Sequence, residues 1–95
     1  MRHLKINCKN LEMNFEKYGD VFNCIAINET NQNMVYERRI KDGNIFNCYE
    51  VIKPCYHTND DGTVVRIYPN TSTWGIKGKT TTNYDTAIKL MNDGW

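Results

Sequence analysis

"MVYERRIKDGNIFNCYEVIK", residues 34–53, is the stretch from which the fold can be read. Apolar and polar residues alternate on both sides of Asp42-Gly43. Alternation with a period of two marks a strand with one buried face. Asp-Gly suits a two-residue type I′ turn, whose two central residues both need positive φ. The expectation is a β-hairpin closed at Asp42-Gly43. Counting outward from that turn sets Ile40 opposite Ile45, Tyr36 opposite Tyr49 and Met34 opposite Val51. These six would share an apolar face, with Arg38 and Asn47 between them. Glu37, Arg39, Lys41, Phe46, Cys48 and Glu50 would share a mainly charged face, as in a half-buried antiparallel sheet.

Further hairpin signals lie on either side. Upstream, "DVFNCIAINE" (20–29) reads as a strand and "NETNQN" as the loop that ends it. Downstream, "NDDGT" supplies a turn around Asp61-Gly62, and "VVRIY" (64–68) is β-branched and aromatic. Its partner would run from about Tyr49 to His57, with Pro54 placing that segment at an edge or a bulge. "STWGIKGK" (72–79) reads as one more short strand. The first 18 residues stay open: Leu11, Met13 and Phe15 alternate like a strand, and a short helix fits as well.

Tyr84, Ala87, Ile88 and Met91 are spaced i, i+3, i+4, i+7, which makes one apolar helical stripe. Thr82 or Asn83 can cap its start, Thr82 with Asp85 forms a near capping box, and Gly94 suits the position past its end. A helix this short is marginal alone in water and must gain its stability by packing on the sheet. The fold expected is α+β: an antiparallel meander of four to six strands packed against one C-terminal helix, as a single domain over 1–95.

Composition limits the function. Of 95 residues, 40% are hydrophobic and 24% charged, as in an ordinary globular domain. A formal net charge of +1 supplies no global field toward nucleic acid or acidic lipid. No apolar run approaches the roughly 20 residues needed to span a bilayer. "MRHLKINCKN" has a positive start without a following apolar stretch, so we expect no secretory signal and a cytoplasmic location, the host cell cytoplasm if the gene is viral. In that setting Cys8, Cys24, Cys48 and Cys55 read as free thiols that act as small apolar residues.

Several chemical motifs are nearly present. Gly78-Lys79-Thr80 ends like a phosphate-binding loop, but Thr73 stands where the first glycine belongs and the helix begins several residues late. "HTNDDGTVVRIY" (57–68) imitates a calcium loop, with His57 and Tyr68 where carboxylates are needed. Cys55 and His57 face one side of a strand without a C-x-x-C knuckle and with no third group to orient the imidazole. Glu12 and Glu16 read as solvated surface. From these residues we expect no metal, no cofactor and no enzymatic chemistry.

Binding is the class left. Six tyrosines and two tryptophans are many for this length, and Tyr, Trp and Arg dominate interface hot spots. Tyr56, Tyr68, Trp74 and Trp95 lack evident internal partners in the sequence. With the nearby basic residues they give the candidate partner-binding set: Arg38, Arg39, Lys41, Tyr56, Tyr68, Trp74 and Lys77. The expected partner is a host protein or ribonucleoprotein complex, and a homodimer through an edge strand is also open. The alternative is a small domain for single-stranded nucleic acid or nucleotide, since rings beside cations bind bases by stacking and charge.

A strand opening Tyr49-Glu50-Val51, a later one with Trp74-Gly75, and a closing helix with Ala87-Ile88-Lys89 together resemble small orphan proteins of phages and mobile elements. The abundance of Asn, Lys, Ile and Tyr, whose codons are AT-rich, fits such an origin. The resemblance implies an accessory role. Proteins of this kind include anti-CRISPR inhibitors, which occupy a surface of a host defence complex. It assigns a role to no individual residue.

Overall fold

The structure is a computed structural model that describes residues 14–95, with Thr71 described by its backbone alone. Its main sheet is antiparallel and five-stranded, built from β1 (Asn14–Lys17), β2 (Asp20–Ile27), β3 (Met34–Ile40), β4 (Ile45–Ile52) and β7 (Gly78–Thr81) in the order β1-β2-β3-β4-β7. A separate hairpin pairs β5 (Tyr56–Thr58) with β6 (Val64–Arg66). The chain closes with helix α1 (Tyr84–Asp93). This is the α+β meander with a C-terminal helix that the sequence predicts. Phe15 lies in β1, while Leu11, Met13, Glu12 and Cys8 lie outside the described residues.

The decisive hairpin forms with a different register. Ile40 faces Ile45 and Arg39 faces Phe46, but Asn47 is then skipped as a β-bulge and Arg38 faces Cys48. Tyr36 therefore opposes Glu50, Met34 opposes Ile52, and Val35 opposes Val51. A slip of one residue turns every later side chain to the other face. The single apolar face expected from simple alternation becomes two. Met34, Tyr36 and Ile52 join Phe22 on one face, and Val35 and Val51 join the helix on the other. Positive φ also falls one residue later than expected, at Gly43 (88°) and Asn44 (52°).

The two-residue turn with positive φ at both centres occurs elsewhere, at Tyr18 (61°) and Gly19 (80°), between Lys17 and its partner Asp20. Downstream, two expectations need correcting. Pro54 ends the strand instead of bending it, so β6 pairs only with Tyr56–Thr58, and the Tyr49–Ile52 half of β4 pairs with β7. Residues 72–79 are not a strand: Thr71–Thr73 form a 3-10 turn, and the strand is Gly78–Thr81. The Gly78-Lys79-Thr80 segment is thus extended sheet, unlike a phosphate loop. Asp61-Gly62 is the tip of the β5–β6 hairpin, where the Gly62 amide donates to the Asn59 carbonyl at 2.9 Å.

Helix α1 lies against β4, β7 and β3. Val35, Val51 and Ala87 are fully buried between the layers and Met91 nearly so, at 6% exposure. Tyr84 is half exposed, with its ring edge-on to Tyr49 at 5.7 Å. Asn83, not Thr82, is the N-cap: its side-chain oxygen accepts from the Thr86 amide at 2.8 Å. At the other end the Gly94 amide donates to the Leu90 carbonyl at 2.9 Å. The Asn-rich loop supplies further caps, as Asn31 and Asn33 donate side-chain amides to the Met91 carbonyl at 2.9 and 3.0 Å. Among the described residues no helix is long and apolar enough to cross a membrane.

Candidate functional site

The sheet face opposite the helix carries the candidate site. Residues two apart on a strand share a face, so β3 presents Met34, Tyr36 and Arg38 here. Phe22 of β2 lies across from Arg38, and Glu50 of β4 across from Tyr36. Phe15 of β1 lies across from Phe22 and stacks on it, with centroids 4.7 Å apart and planes 7° apart. After β6 the chain folds back over this face and inserts Tyr68, edge-on to Phe15 at 5.4 Å and to Tyr36 at 5.4 Å. Trp74 follows, nearly parallel to Tyr68 at 6.0 Å. Its indole N–H donates to Thr80 Oγ1 at 3.2 Å.

Glycine at 78 makes the placement of Trp74 possible. A Cβ there would overlap the six-membered ring of Trp74. The bare backbone of β7 lets the indole lie close to the sheet.

Under the rings runs a polar floor. Arg38 Nε donates to Asp20 at 2.5 Å and Nη1 to Glu50 at 2.9 Å, while the guanidinium sits 4.9 Å above the Phe22 ring. Asn47, freed from strand pairing by the bulge, donates to Asp20 at 3.3 Å. The Tyr68 hydroxyl donates to the second Glu50 oxygen. Asp20 and Glu50 are both buried. Burial works against the Arg38 charge, but its bonds to Asp20 and Glu50 prevail and hold its pKa above the ordinary guanidinium value. The same setting acts on two neutral acids. Burial, then the Glu50 charge, pushes the Cys48 thiol up to about 11 and the Tyr68 phenol well above its usual range.

Between the rings and the outer edge of the sheet a cleft of about 350 Å³ remains open. Phe15, Tyr68 and Trp74 form its walls, and Arg38 and Glu50 its base. Lys17, Tyr18, Asn70 and Thr80 form its rim. Such a cavity can hold a small planar guest by ring contact and hydrogen bonds.

The seven residues proposed from sequence do not form one surface. Arg38, Tyr68 and Trp74 meet in the cleft, as structural members as much as lining. Tyr56 and Lys77 border a second, shallower depression of about 660 Å³ beside Pro54 and the helix C-terminus. Arg39 points the other way, pairs with Glu37 at 3.1 Å and lies 5.9 Å from the Phe46 ring. Lys41 forms an exposed pair with Glu16 at 2.9 Å. Trp95 has internal partners after all: its indole N–H donates to the Gly75 and Ile76 carbonyls at 3.2 and 3.0 Å, and the Lys53 ammonium lies 4.6 Å over its ring.

Sequence reasoning missed Phe15, Lys17, Tyr18, Glu50, Asn70 and Thr80. One signal was available, the single carboxylate of "CYEVI" (48–52), an acid within an apolar strand. Cys24, Cys48 and Cys55 are free thiols. Among the described residues no three His, Cys, Asp or Glu side chains cluster as a metal-binding group. No protein-family model, curated protein or solved structure matches the chain.

Proposed function

We propose that this chain is a small binding protein, of phage or mobile-element type, that engages a host macromolecule through the aromatic cleft and inhibits or redirects it. A CRISPR-type or other defence complex is the target class that the resemblance of its layout suggests. The reading rests on one observation: three rings and an Asp20–Arg38–Glu50 network with both carboxylates buried line a cleft whose rim carries the exposed Lys17 and Tyr18. Aromatic walls around a concave pocket are what a partner's anchoring group needs. The chemistry proposed is occupancy, with no bond made or broken.

Affinity capture from host lysate tests it, using the wild-type chain and a rim variant, Lys17→Glu with Tyr18→Ala. We expect a captured complex whose yield falls at least about tenfold with the rim variant and is unchanged by Lys41→Ala. Equal capture by wild type and the rim variant would remove the cleft from the interface. A second reading, binding of single-stranded nucleic acid or nucleotide, is favoured by the same rings lying beside Lys17 and Arg38.

A further inference from the structure

The cleft's hydrogen-bonding groups divide into those already used and those still available. Its carboxylate and amide acceptors are used. One Glu50 oxygen takes the Tyr68 hydroxyl, and the other takes Arg38 Nη1 and, weakly, the Cys48 thiol at 4.0 Å. Asn70 Oδ1 accepts from the Ser72 hydroxyl at 2.7 Å and the Thr73 amide at 3.1 Å. Its donors are available. Among the described residues, Arg38 Nη2, Asn70 Nδ2 and the Lys17 ammonium, which lies 5.1 Å over the Tyr18 ring, have no hydrogen-bond acceptor. The Thr80 hydroxyl accepts from Trp74 and keeps its own proton free to donate. A guest that fits must therefore be flat enough for the rings, rich in acceptors, and anionic on the side lined by Lys17 and Arg38.

Resting on the reading of this cleft as the binding site, we propose that the group it seats is a single nucleotide of an unpaired strand. The base lies along the Tyr68 and Trp74 walls, and the phosphate lies between Lys17 on the rim and the free Nη2 of Arg38 at the base. Base carbonyls and ring nitrogens supply the acceptors that Asn70 and Thr80 lack. A bare acidic side chain would meet the cations but leave the ring walls uncovered. A long nucleic acid contacted along its backbone would need a basic track, which a net charge of +1 does not provide. One nucleotide in a pocket needs only the local charge that is present.

The strained turn at the rim accords with this. Tyr18 holds φ 61°, a left-handed conformation that a bulky residue adopts at a cost, and it is 71% exposed. The turn carries its ring at the entrance to the cleft, where it can close over a bound base.

The test uses the whole chain and backbone-amide NMR. Probes are the four ribonucleoside 5′-monophosphates, the matching nucleosides, hexauridylate, and an acidic peptide containing tyrosine. Monophosphates are expected to bind with dissociation constants on the order of 10–100 µM and to shift the amides of Lys17, Tyr18, Asn70, Trp74 and Thr80. Nucleosides should bind about tenfold more weakly, and the logarithmic salt slope for hexauridylate should be about −0.7, as for one phosphate contact. Lys17→Ala should weaken binding about 3- to 10-fold. Tyr18→Asn should weaken it at least about fivefold while raising thermal stability, an opposition that a merely structural role for Tyr18 would not give. Absence of shifts in the cleft with every nucleotide at millimolar concentration overturns the nucleotide assignment, as does tighter binding of the acidic peptide. If cleft-dependent capture persists in either case, only this inference has failed. If capture ignores the rim variant, the binding reading fails with it.

Discussion

Cys48 lies buried on the cleft face of β4, 4.0 Å from Glu50, and its thiol is pushed up from 9.0 to about 11. The consequence for stability has a definite sign. Above pH 9.0 the unfolded chain releases this proton while the folded chain keeps it up to about pH 11. The stabilisation is complete below the unfolded value and is lost as pH rises through the folded one. A shift of this size corresponds to about 2–3 kcal/mol. Tyr68, raised in the same direction from 10.0, adds to the loss above about pH 10. Urea titrations between about pH 8 and about pH 11 should show stability level up to about pH 9 and falling above it, with Cys48→Ala reducing the fall. A pH-independent midpoint would contradict the burial of these two acids. Neither shift was legible in the sequence, where Cys48 falls on the charged face of an unbulged hairpin.

At the scale of elements, Gly78 and Trp74 define a contact between β7 and the loop that precedes it. Gly78→Ala should destabilise the chain by about 1–3 kcal/mol, because the added methyl would meet the indole and push it off the sheet. Thermal melting gives the magnitude. Tryptophan emission should shift to the red as Trp74 gains water, and an unshifted spectrum would mean that the ring does not pack there. The positions of several elements were readable because their signals are local. Asp20–Ile27, Ile45–Ile52 and the helix with Asn83 and Gly94 at its ends follow from alternation, helical spacing and capping chemistry. Other features had no local signal. Tyr-Gly is not a preferred type I′ pair, so the β1–β2 turn carries no local signal. The bulge at Asn47 leaves no mark in a pattern that alternates correctly on either side of it.

Across the whole molecule, stability should be graded. β3 and β4 lie inside the main sheet between two packed layers, whereas β5 and β6 form an isolated pair of three-residue strands. A two-stranded hairpin is marginal alone. Native-state hydrogen exchange should find the amides of Tyr56–Thr58 opening at least about 2 kcal/mol more easily than those of Val35 and Val51. Equal protection would indicate one cooperative unit. The gradient matters for the cleft, because Tyr68 and Trp74 follow this weaker hairpin while Arg38 and Glu50 stand on the firmer strands. The walls can therefore adjust to a guest over a fixed floor.

Periodicity and capping lie within a few neighbouring residues, so the chain's letters sufficed for the α+β class, for most strand positions and for a helix that must lie on the sheet. The faces of the central strands were another matter. One skipped residue at Asn47 inverts them, and whether it is skipped depends on burying apolar side chains on both sides of the sheet at once. The cleft has the same origin. Phe15, Arg38, Glu50, Tyr68 and Trp74 are spread over 60 positions of chain, and they meet only because β1 through β4 lie side by side and residues 67–74 cross above them.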